Sequence, residues 1–377
     1  DALLKAEGLT HEGISVGATP RRFALTVKAL SAGQPNVQER VRGPPLSRAF
    51  EEDGVTPGKA ALGFCKKNGI DASELEKDGE YVWAVVKKEG RSTVAVLEEA
   101  LPKIIAGINF SKAMRWITNS DVTFSRPMRW LFAVHGDHHL SFEALGVPSG
   151  ATTRLLRTRG DVSDTHVAAN AAEYHALLAK DAIVAEYEAR VSKIWSEAKD
   201  AAKSVGGDIP ESAREGLLEE VANLVEAPNL VMGDFEETFL ALPKEVLVMV
   251  MRKHQRYFPV ENADGSLKPH FITFANGPCN VGVVKHGNEA VLQARYEDAK
   301  FFYESDLKKT LAEFKPELSG ITFQQELGNM LDKTSRVEAL VEDVSKALGF
   351  GADVVGTAAT AAGLARADLA TSMVIEL

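Results

Sequence analysis

Met251-Arg252-Lys253-His254-Gln255-Arg256-Tyr257-Phe258 gathers three permanent cations, a histidine and two aromatic rings in one short segment. That set contains no nucleophile–base pair. It suits the gripping of phosphate oxygens, with an aromatic face nearby for an unstacked or flipped base, as RNA recognition requires. The segment falls where a helix should end and a strand begin. Arg252 and Lys253 therefore also fit a second role, complementing the negative end of the helix dipole. On residue types alone the two readings are balanced. A second cationic stretch, Lys112 to Gly160, carries 7 basic against 3 acidic side chains and includes Arg115, Arg129 and Arg154. Between Ala171 and Glu245 the balance reverses to 16 acidic against 7 basic, nearly the whole of the net charge of −10. A polyanion responds to local potential, so the acidic total does not exclude a nucleic-acid partner.

Other chemistries fail on spacing. Gly54-Val55-Thr56-Pro57-Gly58-Lys59-Ala60 is one residue short of a phosphate-cradling loop and lacks its metal-facing hydroxyl, and no Gly-x-Gly-x-x-Gly exists. His135, His138 and His139 flank Asp137 in a turn and would need a further ligand from elsewhere to hold a metal. There is no Gly-x-Ser-x-Gly elbow, no Cys/His dyad and no His-Asp dipeptide. The only cysteines, Cys65 and Cys279, are far apart in sequence, which points to a reducing, intracellular setting rather than a disulfide framework. No apolar run reaches membrane-spanning length. The chain opens on Asp1 and closes on the apolar Met373–Leu377 run, the mark of a piece of a longer polypeptide.

The elements that must hold these residues form an α+β, multidomain pattern over 377 residues. Residues 1–160 mix strands and helices. Strands are expected at Phe23–Leu30 and Tyr81–Val86. One helix should start at Thr56-Pro57 and end at Gly69, and another should run from Thr93 to Ala106, kinked or divided by Pro102. An antiparallel meander should follow between Asp121 and Leu145. Residues 161–320 hold a helix with an apolar face from Tyr187 to Val205, an acidic helix at Leu217–Val225, a helix from Pro243 to about His254, a hairpin turning at Asp264-Gly265, and a long helix from Asn288 to Tyr303. Residues 321–377 read as the start of an all-helical domain, with Leu331, Val337, Leu340, Val341, Val344 and Leu348 forming one helical face.

Leu240-Ala241-Leu242-Pro243-Lys244-Glu245-Val246-Leu247 and the basic segment Met251–Val260 closely resemble the glycyl-tRNA synthetase beta subunit of the heterotetrameric bacterial and organellar type. Further blocks resemble that family in the same order: Ala18–Arg22, Arg42-Gly43-Pro44, Met114-Arg115-Trp116, Arg126–Trp130, Glu220–Glu226, Asp298–Tyr303, Phe323–Gly328 and Asp332-Lys333-Thr334. The resemblance implies that the C-terminal helical region begins an HD-like domain. It implies a tRNA-binding, non-catalytic subunit of glycine–tRNA ligase, with no catalytic residue, metal or cofactor of its own. The ATP and Mg would serve the alpha subunit, or a fused alpha region, where glycyl-adenylate forms. The implied partners are that alpha subunit in an α2β2-type assembly and tRNA(Gly), with no membrane. The compartment would be cytoplasm in a bacterium, and chloroplast or mitochondrion in a plant or alga. Candidate RNA contacts are Arg115, Arg129, Arg154, Arg252, Lys253, His254 and Arg256, each of which equally fits an internal ion pair. Trp116 and Trp130 are expected in the core. Ser149–Arg157 lacks the histidine that the family tends to carry there. Two other classes would be a synthetase-derived structural protein without charging activity and an HD-type phosphohydrolase.

Overall fold

The computed structural model describes residues 1–51, 53–116, 121–161 and 164–376, with Arg159 described only in its backbone. Contacts divide the chain into two units: Asp1–Ala18 with Arg22–Ala185, and Thr19–Arg21 with Glu186–Leu377. The α+β expectation holds.

In the first unit β1 (Gly13–Thr19) and β2 (Arg22–Lys28) make a two-stranded sheet. A three-stranded antiparallel sheet follows, with β3 (Val37–Pro45) and β4 (Leu75–Asp78) on either side of β5 (Tyr81–Lys88). Strand alternation sends Val82, Ala84 and Val86 inward, and Val82 packs with Ala49 and Ala61. Ala61 lies on α1 (Lys59–Asn68), which begins later than its sequence suggests. Thr56 does not cap it, because its amide and hydroxyl are both bound to Asp53, a local turn that takes the hydroxyl out of competition. Gly69 ends the helix in the left-handed region at φ 67°, as its type requires. The helix α2 (Thr93–Ala106) has the expected limits and runs through Pro102 without being divided into two. The missing N–H removes one helical bond in the exposed last turns, too little to break a helix whose start is anchored by buried Thr93 and Val96.

The expected meander is not formed. Val134–His135 and His138–His139 do pair as a hairpin about Gly136. However, Leu145 and Gly146, both at positive φ, fold Val147–Gly150 back so that it pairs antiparallel with Glu143–Ala144 and parallel with Leu131–Phe132. The unit closes with α3 (Ala171–Lys180), capped by Asn170.

The second unit is built on an antiparallel sheet with β8 (Leu267–Asn276) between β6 (Pro228–Asp234) and β7 (Phe258–Glu261). Neighbouring residues of β8 enter different cores. Ile272 joins Phe258, Val260 and the apolar stripe Ile194, Ala198 and Ala202 of α4 (Tyr187–Ser204). Phe271 joins Tyr257, Leu247 of α5 (Lys244–Met249), and Leu292 and Tyr296 of α6 (Val281–Asp306). The sheet therefore has a helical layer on each face. Asn280 caps α6, accepting from the Val283 amide, so the helix starts before Asn288. A capping box of Asn329 and Asp332 opens α7 (Met330–Ala347), and Gly349 leads into α8 (Ala352–Leu364). The apolar face of α7 is covered unevenly: Val337 and Val341 are half-buried, whereas Leu340, Val344 and Leu348 are 60%, 47% and 66% exposed. At its start Met330 and Thr334 turn inward, and Met330 and Leu331 pack with Phe314 and Leu318.

Two charged side chains, Arg190 and Glu226, are fully buried in this unit. Arg190 of α4 is wholly buried, and its Nε donates to the Ala222 carbonyl at 2.7 Å. Burial pulls its pKa below the ordinary value, while Tyr187 and the fully buried Glu226 oppose that shift. Truncating one member of such a set leaves the others desolvated. Arg190→Ala should lower the unfolding free energy by about 3–5 kcal/mol in urea titrations. A second substitution, Glu226→Gln, should recover part of the loss.

Candidate nucleic-acid interface

Helix α5 does not continue regularly to His254. At Val250 it passes into a π turn, Val250–Gln255, which packs Val250 and Met251 into the core. A kinked turn, Arg214–Leu218, leads into the expected acidic helix, which is regular only over Glu219–Ala222. Within the turn Glu215 (φ −77°, ψ 122°) and Gly216 (φ 78°, ψ −57°) leave helical geometry. The two turns are tied together by arginines. Arg252 Nη2 donates to the carbonyls of Ser212 at 3.1 Å and Glu215 at 3.4 Å. Arg256 adopts the left-handed conformation at φ 58°. Its Nε meets Glu220 Oε1 at 2.7 Å, and its Nη1 donates to the Lys253 and His254 carbonyls at 2.9 and 3.3 Å. These are carbonyls that a helix end leaves unbonded. Arg252 and Arg256 thus act mainly within the fold, which is the internal-pairing alternative left open by the sequence.

What faces outward at this corner is Lys253, exposed and without an ion pair among the described residues. His254 beside it is half-buried, its Nε2 shielded from solvent and unbonded among the described residues. Behind them Tyr257 stacks on Phe271 at 4.6 Å, and burial pushes its hydroxyl up to about 12. Nearby, Trp195 lies 5.2 Å from Lys199 Nζ and 6.0 Å from Arg214 Cζ. That cation–aromatic grouping is not apparent from sequence, because Arg214 reaches it only through the irregular turn.

The remaining candidates lie in the first unit. Arg115 is largely exposed, with a loose 3.7 Å contact to exposed Asp121 that contributes little. Arg129 is exposed and has no ion pair among the described residues. Arg154 is half-buried, with its guanidinium 6.0 Å from the Trp130 ring, and its carbonyl accepts from Arg22. Trp116 and Trp130 are half-buried rather than core residues. Arg159, part of the same cationic stretch, has a side chain outside the described residues. The histidine turn is held by other contacts, with His135 Nε2 3.3 Å from the Leu30 carbonyl and Asp137 accepting from Asn170.

A tighter titratable cluster lies at the end of β6. Asp234 Oδ1 meets His270 Nδ1 at 2.6 Å, its Oδ2 meets Lys285 Nζ at 2.6 Å, and Glu289 accepts the Asp234 amide. Burial pushes the Asp234 carboxyl up, but hydrogen bonds from Lys285 and His270 outweigh it and hold the group below 3.8.

A family model for the glycyl-tRNA synthetase beta subunit matches residues 1–377. The chain belongs to that family. It is 44% identical to the glycine–tRNA ligase, chloroplastic/mitochondrial 2, of Arabidopsis thaliana over 99% of its length. It is 40% identical to the glycine–tRNA ligase beta subunit of Shouchella clausii and 38% identical to that of Desulforudis audaxviator, in both cases over all of its length. It spans 54% of each bacterial protein and 35% of the Arabidopsis one. Three blocks that carried the resemblance to this beta-subunit family meet in the second unit. Glu220 binds Arg256, and Glu226 at the end of the same block accepts from Thr19 Oγ1 at 3.0 Å and Arg21 Nη1 at 3.3 Å.

Two stability tests follow for this family member. Arg256→Gly removes the left-handed penalty together with the guanidinium, whereas Arg256→Ala keeps the penalty. Alanine should therefore be the more destabilising by about 1 kcal/mol in denaturant melts. Because the folded pKa of Asp234 is depressed, its contribution is present above 3.8 and is lost as pH falls through the lower folded value. The stability gap between wild type and Asp234→Asn should accordingly narrow with acidification below that point.

Proposed function

We propose that this chain is the RNA-positioning part of a glycine–tRNA ligase. It would hold tRNA(Gly) so that the acceptor end reaches an alpha subunit, or a fused alpha region, that uses ATP and Mg to make glycyl-adenylate. The observation that carries this reading is the family match across the whole chain. The basic corner supports it: two arginines brace the backbone, and Lys253 is left free to face a phosphate. In this scheme the chain supplies no reacting group. Orientation alone accelerates transfer, because it converts an encounter into a positioned step. The assembly proposed is of α2β2 type or its fused equivalent. The compartment is the cytoplasm for a bacterial source, and a chloroplast or mitochondrion for a plant or algal one.

The deciding experiment is glycylation of tRNA(Gly) by purified alpha subunit with and without the full-length beta chain. Charging should depend on the beta chain, and charging by alpha alone at an unchanged rate would overturn the proposal. Lys253→Ala should weaken tRNA binding and lower the slope of log affinity against log salt by about one, the signature of one lost phosphate contact. An unchanged slope would remove Lys253 from the interface.

A further inference from the structure

The sheet β3–β5–β4 has one face on its core and the other open. Register places Arg42 opposite Trp83, Arg40 opposite Val85, and Glu76 and Asp78 opposite Trp83 and Tyr81, all on the open face. Two guanidinium groups lie over two rings there. Arg42 Cζ is 4.5 Å from the Tyr81 centroid, and Arg40 Cζ is 4.9 Å from that of Trp83. The indole is pinned at its edge, Nε1 donating to the Asp78 carbonyl at 3.3 Å.

The two arginines differ in what remains available. Arg40 pairs with Asp78 at 2.8 Å and Glu76 at 3.3 Å, so its charge is taken up by the two carboxylates of this face. Arg42 is exposed and has no carboxylate partner among the described residues; its inner side is covered by Tyr81 and its outer side is open. Lys87, on the same face four residues along β5 from Trp83, or about 13 Å at strand rise, is also exposed and outside any ion pair described. Val85 between them is 37% exposed.

We infer that this open sheet face is a docking surface for a single-stranded segment of RNA. A base stacks on the outer plane of Arg42, which Tyr81 has already oriented, and the neighbouring phosphates meet Arg42 and Lys87. Planar guanidinium groups and aromatic rings on an open sheet are a means by which single strands are held, and a face of this kind takes two or three bases. A protein partner would have to bring carboxylates to Arg42 and Lys87 while leaving the planar stack unused. A duplex has no free base face to offer. The inference rests on the reading of this chain as an RNA-handling subunit, and it adds a second contact region to the Lys253 corner.

The test measures anisotropy of a short, unstructured, fluorescein-labelled single-stranded RNA titrated with full-length beta chain, alongside glycylation of tRNA(Gly) with the alpha partner. Arg42→Ala should weaken oligonucleotide binding roughly ten-fold. Arg42→Lys should lose nearly as much, because it keeps the charge but not the plane. Lys308→Ala, an exposed lysine of the other unit with no part in the proposed RNA contacts, should leave the oligonucleotide affinity unchanged. Circular dichroism melts confirm folding, which an exposed side chain of this kind should not disturb. Wild-type affinity in Arg42→Lys, equal competition by duplex RNA, or an effect of Arg42 confined to alpha-subunit association overturns the inference. If any of these occurs while charging still requires the beta chain, the sheet face is wrong and the proposed function stands. If charging ignores the beta chain, the proposed function fails, and the oligonucleotide titrations still judge the sheet face.

Discussion

A guanidinium without access to water must find hydrogen-bond acceptors, and in the second unit that requirement fixes the course of the chain. Arg190 is carried inward by the same stripe of α4 that buries Ile194, Ala198 and Ala202. Its Nε finds the carbonyl of Ala222, at the end of the helical turn Glu219–Ala222. That bond sets where the acidic segment ends and therefore where Pro228 can begin the outer strand β6. The same accounting continues outward. Arg252 satisfies carbonyls of the irregular turn that precedes the segment, and Arg256 ties Glu220 to the end of the next helix. Each arginine supplies donors that a broken helix lacks, so the basic corner is a product of backbone satisfaction before it is a surface.

This ordering gives the arginines and lysines different meanings. The arginines near the corner are planar, multi-donor groups able to bridge several carbonyls at once, and they are committed inward. Lys253, a flexible point charge, is the group left facing solvent. On the open sheet of the first unit the division falls between two arginines instead. Arg40 is balanced by Glu76 and Asp78, while Arg42 is backed only by a ring. An acidic net charge is therefore compatible with local cationic surfaces, because many carboxylates are paired where they stand.

Long, strongly periodic elements were legible in the sequence. The limits of α2, the apolar stripe of α4 and the hairpin turning at Asp264-Gly265 all appear where periodicity and turn chemistry put them. The failures have local causes. Thr56 looked like a cap but is held by Asp53. The Leu217–Val225 periodicity did not show that Gly216 takes a positive φ and breaks the start of the segment. The apolar spacing of α7 identified a hydrophobic face correctly but not its surroundings, since periodicity says which residues share a face and not what covers it. Of the candidate contacts, residue type and spacing singled out the Met251–Phe258 segment. Which of its cations are free depended on carbonyls some 40 residues away in sequence, at Ser212 and Glu215. The Arg42–Tyr81 and Arg40–Trp83 stacks were hidden for a similar reason: they are cross-strand relations, visible only once register is known.

A π turn holds one residue more than an α turn needs. Deleting a single residue from Val250–Gln255 would let the backbone relax into regular helix while rotating everything beyond it. The aromatic pair Tyr257 and Phe258 would then face the wrong layers of the sheet, and the cations would be re-aimed with them. Length at this turn is therefore under tighter constraint than side-chain identity. Among descendants of such a chain, substitutions should accumulate here where insertions and deletions do not.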